Sequence, residues 1–167
     1  MIGVVNSTSR RRPNPDLIDR ETGADNEILS PPPGFGGPRR EFKITLGLRA
    51  GYGPAGRIYD LEEAIRAAHR WMTERAARGE PFLSGMFTRG EVVYADPEGG
   101  AASHREPVAI FTGEVLPQYA GNLADRTVRE LLDELAGEMG RALEQEEIHI
   151  AYGDRTWTLT AGLQPDR

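Results

Sequence analysis

The stretch EFKITLGLR, Glu41 to Arg49, sets Phe42, Ile44, Leu46 and Leu48 in strict alternation with Lys43, Thr45, Gly47 and Arg49. A period of two is the signature of a strand, whose successive side chains point to opposite faces. One face here is apolar and the other polar or small. Such a strand belongs to a sheet covered on one side only, because a strand pressed between two helical layers reads as a continuous apolar run. The framework implied is antiparallel, with a dry face and a wet face.

That framework decides how the next residues are read. LGLRAGYGPAG, Leu46 to Gly56, contains G-x-G-x-x-G at Gly51, Gly53 and Gly56. A dinucleotide-binding turn needs a buried parallel strand before it and its last glycine in the first helical turns, where amides and helix dipole meet a pyrophosphate. Here the strand alternates, Pro54 removes a donor, and the next helix signal is Asp60, with Glu63 at capping-box spacing. The loop reads as a supple crossover, not a phosphate cradle.

From Asp60 the helix carries Leu61, Ala64, Ile65, Ala68, Met72 and Ala76 on one side to about Arg78, with Gly79 as its stop. Residues 82–95 are rich in Phe, Met, Val and Tyr but interrupted by Thr88-Arg89-Gly90-Glu91, which predicts two short strands about a turn; a single bulged strand is the alternative. After the loop DPEGGAASHRE, PVAIFTGEV (Pro107 to Val115) is apolar on both faces and reads as an interior strand. A second helix is expected from near Thr127, with Glu130 at capping-box spacing and a stripe of Val128, Leu131, Leu132, Leu135, Met139 and Leu143. Gly137 and Gly140 weaken it by about 1 kcal/mol each, through close packing or mere surface tolerance. Last, EEIHIAYGDRTWTLTA holds a two-residue turn at Gly153-Asp154. Pairing across it sets Tyr152 against Arg155, Ile150 against Trp157 and Ile148 against Leu159, and puts Glu147, His149, Ala151, Thr156, Thr158 and Thr160 on the polar face.

The order strand, helix, strands, helix, strand pair predicts an α+β domain of the ferredoxin-like split βαβ type, two helices covering one face of an antiparallel sheet. We place this domain at 41–163, followed by a short tail at 164–167. Residues 1–40 show no periodicity and carry SRRRPNP and SPPPGFGGPRR, which reads as an extended or disordered arm. In it six arginines stand against five carboxylates, so the net charge of -6 on the 167-residue chain belongs to the body.

Composition excludes several chemistries. With no cysteine there are no disulfides, thiolate metal sites or cysteine nucleophiles. The apolar runs fall short of the roughly 20 residues that span a bilayer, and MIGVVNSTSRRR lacks a secretory core, so a cytoplasmic protein with no membrane association is expected. The three histidines, His69, His104 and His149, fall on a helix, a loop and a strand without metal-ligand spacing, and no metal or cofactor is expected. His69 reads as a boundary residue and His104 as a solvated loop residue. The first strand lacks an aromatic platform, since Phe42 lies on the apolar side, and the body is acidic. Nucleic acid is not an expected partner. The acidic residues Glu144, Glu146 and Glu147, together with Glu130, Asp133, Glu134 and Glu138, read as a solvated helix face.

With no convergent catalytic constellation, the leading expectation is a noncatalytic interaction or structural subunit of a larger assembly. It would bind protein partners, or copies of itself, through its open sheet face and its arm, using Arg10, Arg11, Arg12, Pro32, Phe35, Arg39 and Arg40. Tyr52 and Tyr59 are further anchor candidates or simply core. The alternative is a small dimeric α+β-barrel enzyme or ligand-binding protein in which His149 and Glu147, with Thr158 and Arg49, line a cavity on the polar face, His149 acting as base.

Overall fold

The computed structural model describes residues 39–51, 55–95, 103–116 and 122–161, all within the unit Pro38–Arg167. Arg10, Arg11, Arg12, Pro32, Phe35, Tyr52 and the tail at 164–167 lie outside the described residues. The elements run β1 (Glu41–Gly47), α1 (Leu61–Ala77), β2 (Met86–Ala95), β3 (Ser103–Glu114), α2 (Asp125–Ala142), β4 (Glu147–Tyr152) and β5 (Arg155–Thr160). The strands form one sheet in the order β2-β3-β1-β4-β5, every neighbouring pair antiparallel. Strand β3 lies between β1 and β2, and β1 between β3 and β4, so each helical crossover skips one strand. That is the ferredoxin-like α+β sandwich, with β5 added beside β4.

The alternation of β1 is reproduced residue by residue. Phe42, Ile44, Leu46 and Leu48 are buried against the helices. Across them lie Ala109 and Phe111 of β3 and Ile148, Ile150 and Tyr152 of β4. The whole expected stripe of α2, from Val128 to Leu143, is buried in the same core. The terminal ribbon pairs as its two-residue turn requires, Tyr152 with Arg155 through Ile148 with Leu159, and Gly153 takes the positive φ of 58° that the turn demands.

Four details depart from the sequence reading. Residues 86–95 form one strand, not two around a turn, and its ladder with β3 runs unbroken from Met86↔Thr112 to Ala95↔Ser103. The polar tetrad that resembled a turn is tolerated because this strand is an edge with little burial. The stripe of α1 is rotated: Ala64, Ala67, Ala68 and Trp71 are buried, while Met72 is half-buried and Ala76 exposed. Small residues at the contact let the helix lie close, and Trp71 fills the space beyond them. Helix α2 starts two residues before Thr127, with Ala124 at the cap position, and Glu130 pairs with Arg126 at 2.8 Å instead of closing a capping box. Finally, the acidic face of α2 is not merely solvated. Asp133 accepts from the Trp157 indole at 2.7 Å and Glu134 from the Trp71 indole at 3.0 Å, so two carboxylates satisfy the indole N–H groups of two tryptophans packed against the core.

The start of β1 is tied to the start of α2. Arg40 donates to the Tyr152 hydroxyl, the Leu123 carbonyl and Asp125, each at 2.8 Å, and Tyr152 donates to Asp125 at 2.7 Å. The hydrogen bond from Tyr152, helped by Arg40 and opposed by desolvation, holds the Asp125 carboxyl below its usual value of 3.8. A carboxyl with a lowered folded-state pKa adds stability above its unfolded value and loses that contribution as pH falls through the folded one. In urea titrations the stability gap between the wild type and Asp125→Asn is therefore expected to be level at neutral pH and to close below about pH 4.

The two glycines of α2 separate by environment. A Cβ at Gly140 would meet Ile148 Cδ1 at 2.5 Å, whereas the nearest atom to a Cβ at Gly137 is Arg141 Nη1 at 3.9 Å. Gly137→Ala is expected to raise unfolding free energy by about 1 kcal/mol, and Gly140→Ala to give a smaller gain or a loss, as measured by denaturant unfolding.

Candidate functional site

On the sheet face turned away from the helices, strand parity assembles a distinct set of side chains. β1 contributes Thr45 and Gly47, followed by Arg49; β4 contributes Glu147 and His149; β5 contributes Thr156, Thr158 and Thr160. The β2–β3 ladder adds Val92 opposite Glu106 and Tyr94 opposite His104. β1 leaves the sheet at the level of Val108, yet β2 and β3 continue pairing to Ala95 and Ser103. The hairpin thus overreaches the sheet and makes a wall. Between this wall and the β1–β4 edge lies a groove of about 760 Å³, lined by Thr45, Gly47, Arg49, Val92, Tyr94, His104, Glu106, Gln145, Glu146, Glu147 and His149.

Three features shape it. The floor at Gly47 has no Cβ, and the Gln145 and Glu106 side chains close over the space one would occupy. Gln145 is fixed there by donating to the carbonyls of Arg49 and Leu143, both at 2.8 Å. On the wall, the Tyr94 and His104 rings stack with centroids 5.5 Å apart and planes 25° from parallel. On the opposite side His149 Nδ1 lies 3.1 Å from Thr158 Oγ1, and its Nε2 is 3.8 Å from Glu147 Oε1. The groove thus combines a flat aromatic surface, carboxylates at Glu106, Glu146 and Glu147, the guanidinium groups of Arg49 and Arg105, and an imidazole beside a carboxylate. A second hollow of about 750 Å³ at the other end of the sheet, around Lys43, Met86 and Thr112, has no histidine.

The glycine loop closes on itself. Ala50 donates to the Arg57 carbonyl at 2.8 Å, Tyr59 to the Leu48 carbonyl at 2.7 Å, and Arg49 bridges Ile58, so the segments flanking G-x-G-x-x-G pair with each other. Gly56 lies so close to the Ala50 carbonyl oxygen that a Cβ would overlap it. Its glycine serves the loop's closure, and Arg49 Nη1 donates to the Gly56 carbonyl at 3.2 Å to lock it. Tyr59, offered as an anchor or a core residue, is core.

Of the candidate residues, His149, Glu147, Thr158 and Arg49 meet on one face as strand parity requires, and all but Thr158 line the groove. His104 is not in a loop but in β3, stacked on Tyr94, and His69 is exposed on α1. Arg39 bonds Glu114 at 2.8 Å and pairs with Glu41, and Arg40 is engaged with Tyr152 and Asp125, so both are held by the domain's own groups. No local sequence signal marks Tyr94, Glu106 or Gln145 as groove residues. Only the long β2–β3 register brings the first two to the groove, and it is masked locally by the polar tetrad. Among the described residues no group of three or more His, Asp or Glu side chains is placed to hold a metal ion, and no helix is long and apolar enough to cross a membrane.

No protein-family model matches the chain, and no curated protein matches it. Solved structures do. The chain is similar to a phage SAM lyase in complex with S-methyl-5'-thioadenosine, with a TM-score of 0.58 and 17% identity over 81% of this chain and 100% of that one. It is likewise similar to a phage SAM lyase in the apo state, with a TM-score of 0.54 and 17% identity over 75% of this chain and 92% of that one. At that identity the likeness establishes the shared fold.

The closure of the glycine loop gives a direct test. Gly56→Ala forces its Cβ against a backbone oxygen and is expected to cost about 1–3 kcal/mol of stability, read by denaturant unfolding.

Proposed function

We propose that the open-face groove binds a nucleoside sulfonium of the S-adenosylmethionine class and that the protein acts on it as a lyase. The observation that carries this reading is the meeting of the stacked Tyr94–His104 pair with Glu106, Glu146 and Glu147 in one groove, beside the Gln145 side chain that closes over Gly47. A purine stacks on an aromatic surface at about 1–3 kcal/mol per base, and carboxylates suit the cationic remainder of such a ligand. The fold shared with phage SAM lyase, one form of which holds S-methyl-5'-thioadenosine, supports the same reading.

The chemistry asks little of the protein. Converting S-adenosylmethionine to S-methyl-5'-thioadenosine breaks the bond from sulfur to the aminobutyryl carbon, and both electrons pass to sulfur. The carbon then gains a bond from the substrate's own carboxylate oxygen, or its neighbour loses a proton to a base. The sulfonium charge disappears along the way, so a carboxylate set directly on sulfur would stabilise the ground state and slow the step. The acidic groups work better at the α-ammonium, whose charge is unchanged. His149, beside Glu147 and Thr158, is the base available for the proton-removal route.

A second reading, a noncatalytic subunit of an assembly, draws its support from the exposed apolar side chains of β2. Calorimetry and product analysis separate the two. Wild-type protein is expected to bind S-methyl-5'-thioadenosine and to release it from S-adenosylmethionine, detected by liquid chromatography with mass spectrometry. Tyr94→Ala should weaken binding about tenfold, the equivalent of roughly 1.4 kcal/mol. His149→Ala should abolish turnover while sparing binding if it is the base, and spare both if the substrate's carboxylate does the work. No binding and no product from the wild type would retire the lyase reading in favour of the assembly one.

A further inference from the structure

Strand β2 is an edge of the sheet, bordered by β3 on one side and by no described strand on the other. It runs ten residues, about 33 Å, without interruption. Edges of this length are usually blunted by charged side chains, above all lysine, by proline or by a bulge. β2 has no lysine, proline or bulge, its two charges, Arg89 and Glu91, are of opposite sign, and it exposes Met86 (67%), Val93 (64%) and Tyr94 (48%), with Val92 also exposed. The opposite edge, β5, has six residues, with Trp157 and Leu159 packed on the core.

The sequence of β2, MFTRGEVVYA, is complementary to itself about Gly90. In an antiparallel pairing with a two-fold axis at that residue, Arg89 faces Glu91, Thr88 faces Val92, Phe87 faces Val93 and Met86 faces Tyr94. Partners in this register share parity, so both sheets turn the same face the same way. The exposed Arg89 makes no ion pair with another described residue, while Glu91 pairs with Arg105 and keeps a second oxygen for a cation across the axis. Gly90 at the axis leaves no side chain to face its own symmetry mate across the pair.

We infer that β2 is a self-association edge, through which two copies of this chain join in register about Gly90 to form one ten-stranded sheet. Opposite charges meet, apolar side chains cover one another, and the edge amides and carbonyls that no described strand pairs gain partners. The pairing also sets Met86 of the partner subunit beside Tyr94, on the wall of the groove. The inference stands apart from the lyase reading, since it rests on β2 alone.

Light scattering across a concentration series tests it. The wild type is expected at twice the chain mass. Arg89→Glu sets like charges opposite each other at both symmetric positions, and so does Glu91→Arg; each variant alone should fall to the monomer mass. An equimolar mixture of the two restores an Arg–Glu pair at both positions and should return to the dimer mass. Circular dichroism melts check that each variant stays folded, which is expected because the Glu91–Arg105 pair given up is exposed. A monomeric wild type, a dimer indifferent to both variants, or a mixture that stays monomeric would each overturn the inference.

Discussion

Everything in this domain depends on β1 occupying the centre of the sheet with one dry face and one wet face. Its inner side chains are the floor of the core, and both helices are positioned by covering them. Its outer residues, Lys43, Thr45 and Gly47, are too small or too polar to recruit a second layer. That one asymmetry makes the sheet two-sided. A fully apolar β1 would call for helices on both faces and leave no open surface for a site.

The site inherits its composition from this division. Parity along β1 and β4 sends Thr45, Gly47, Glu147 and His149 to the open side, and the overreaching β2–β3 hairpin supplies Tyr94, His104 and Glu106. None of these groups is part of the hydrophobic core. Stability is carried on the inner face by aliphatic packing, the Arg40–Tyr152–Asp125 network and the two carboxylate-bound tryptophans. The two faces thus answer to different demands and can change independently.

How much of this was legible in the sequence varies with the distance over which each feature is determined. The β4–β5 register was readable to the residue because a two-residue turn and an apolar alternation over-determine it, and His149 with Glu147 followed directly. The α2 stripe was readable because leucine at helical spacing has few other meanings. The buried stripe of α1 lies one step away from its aliphatic spacing, since alanines mark a contact line poorly and Trp71 falls between two candidate rows. Strand β2 was broken in two because an edge strand has no burial to enforce apolar residues, so Thr88-Arg89-Gly90-Glu91 carries a turn's composition in an extended conformation. Losing that strand's continuity also hid Tyr94 and Glu106, whose face depends on it.

The order of strands in space has a consequence for the nascent chain. β1 leaves the ribosome first of the five, yet its neighbours are β3, more than fifty residues downstream, and β4, farther still. The two hairpins, β2–β3 and β4–β5, are local and close quickly, while the central strand waits with both edges bare and its apolar side uncovered. Closing the sheet is a late, nonlocal event, and the interval before it is when this chain is most exposed to misassembly or to chaperone capture.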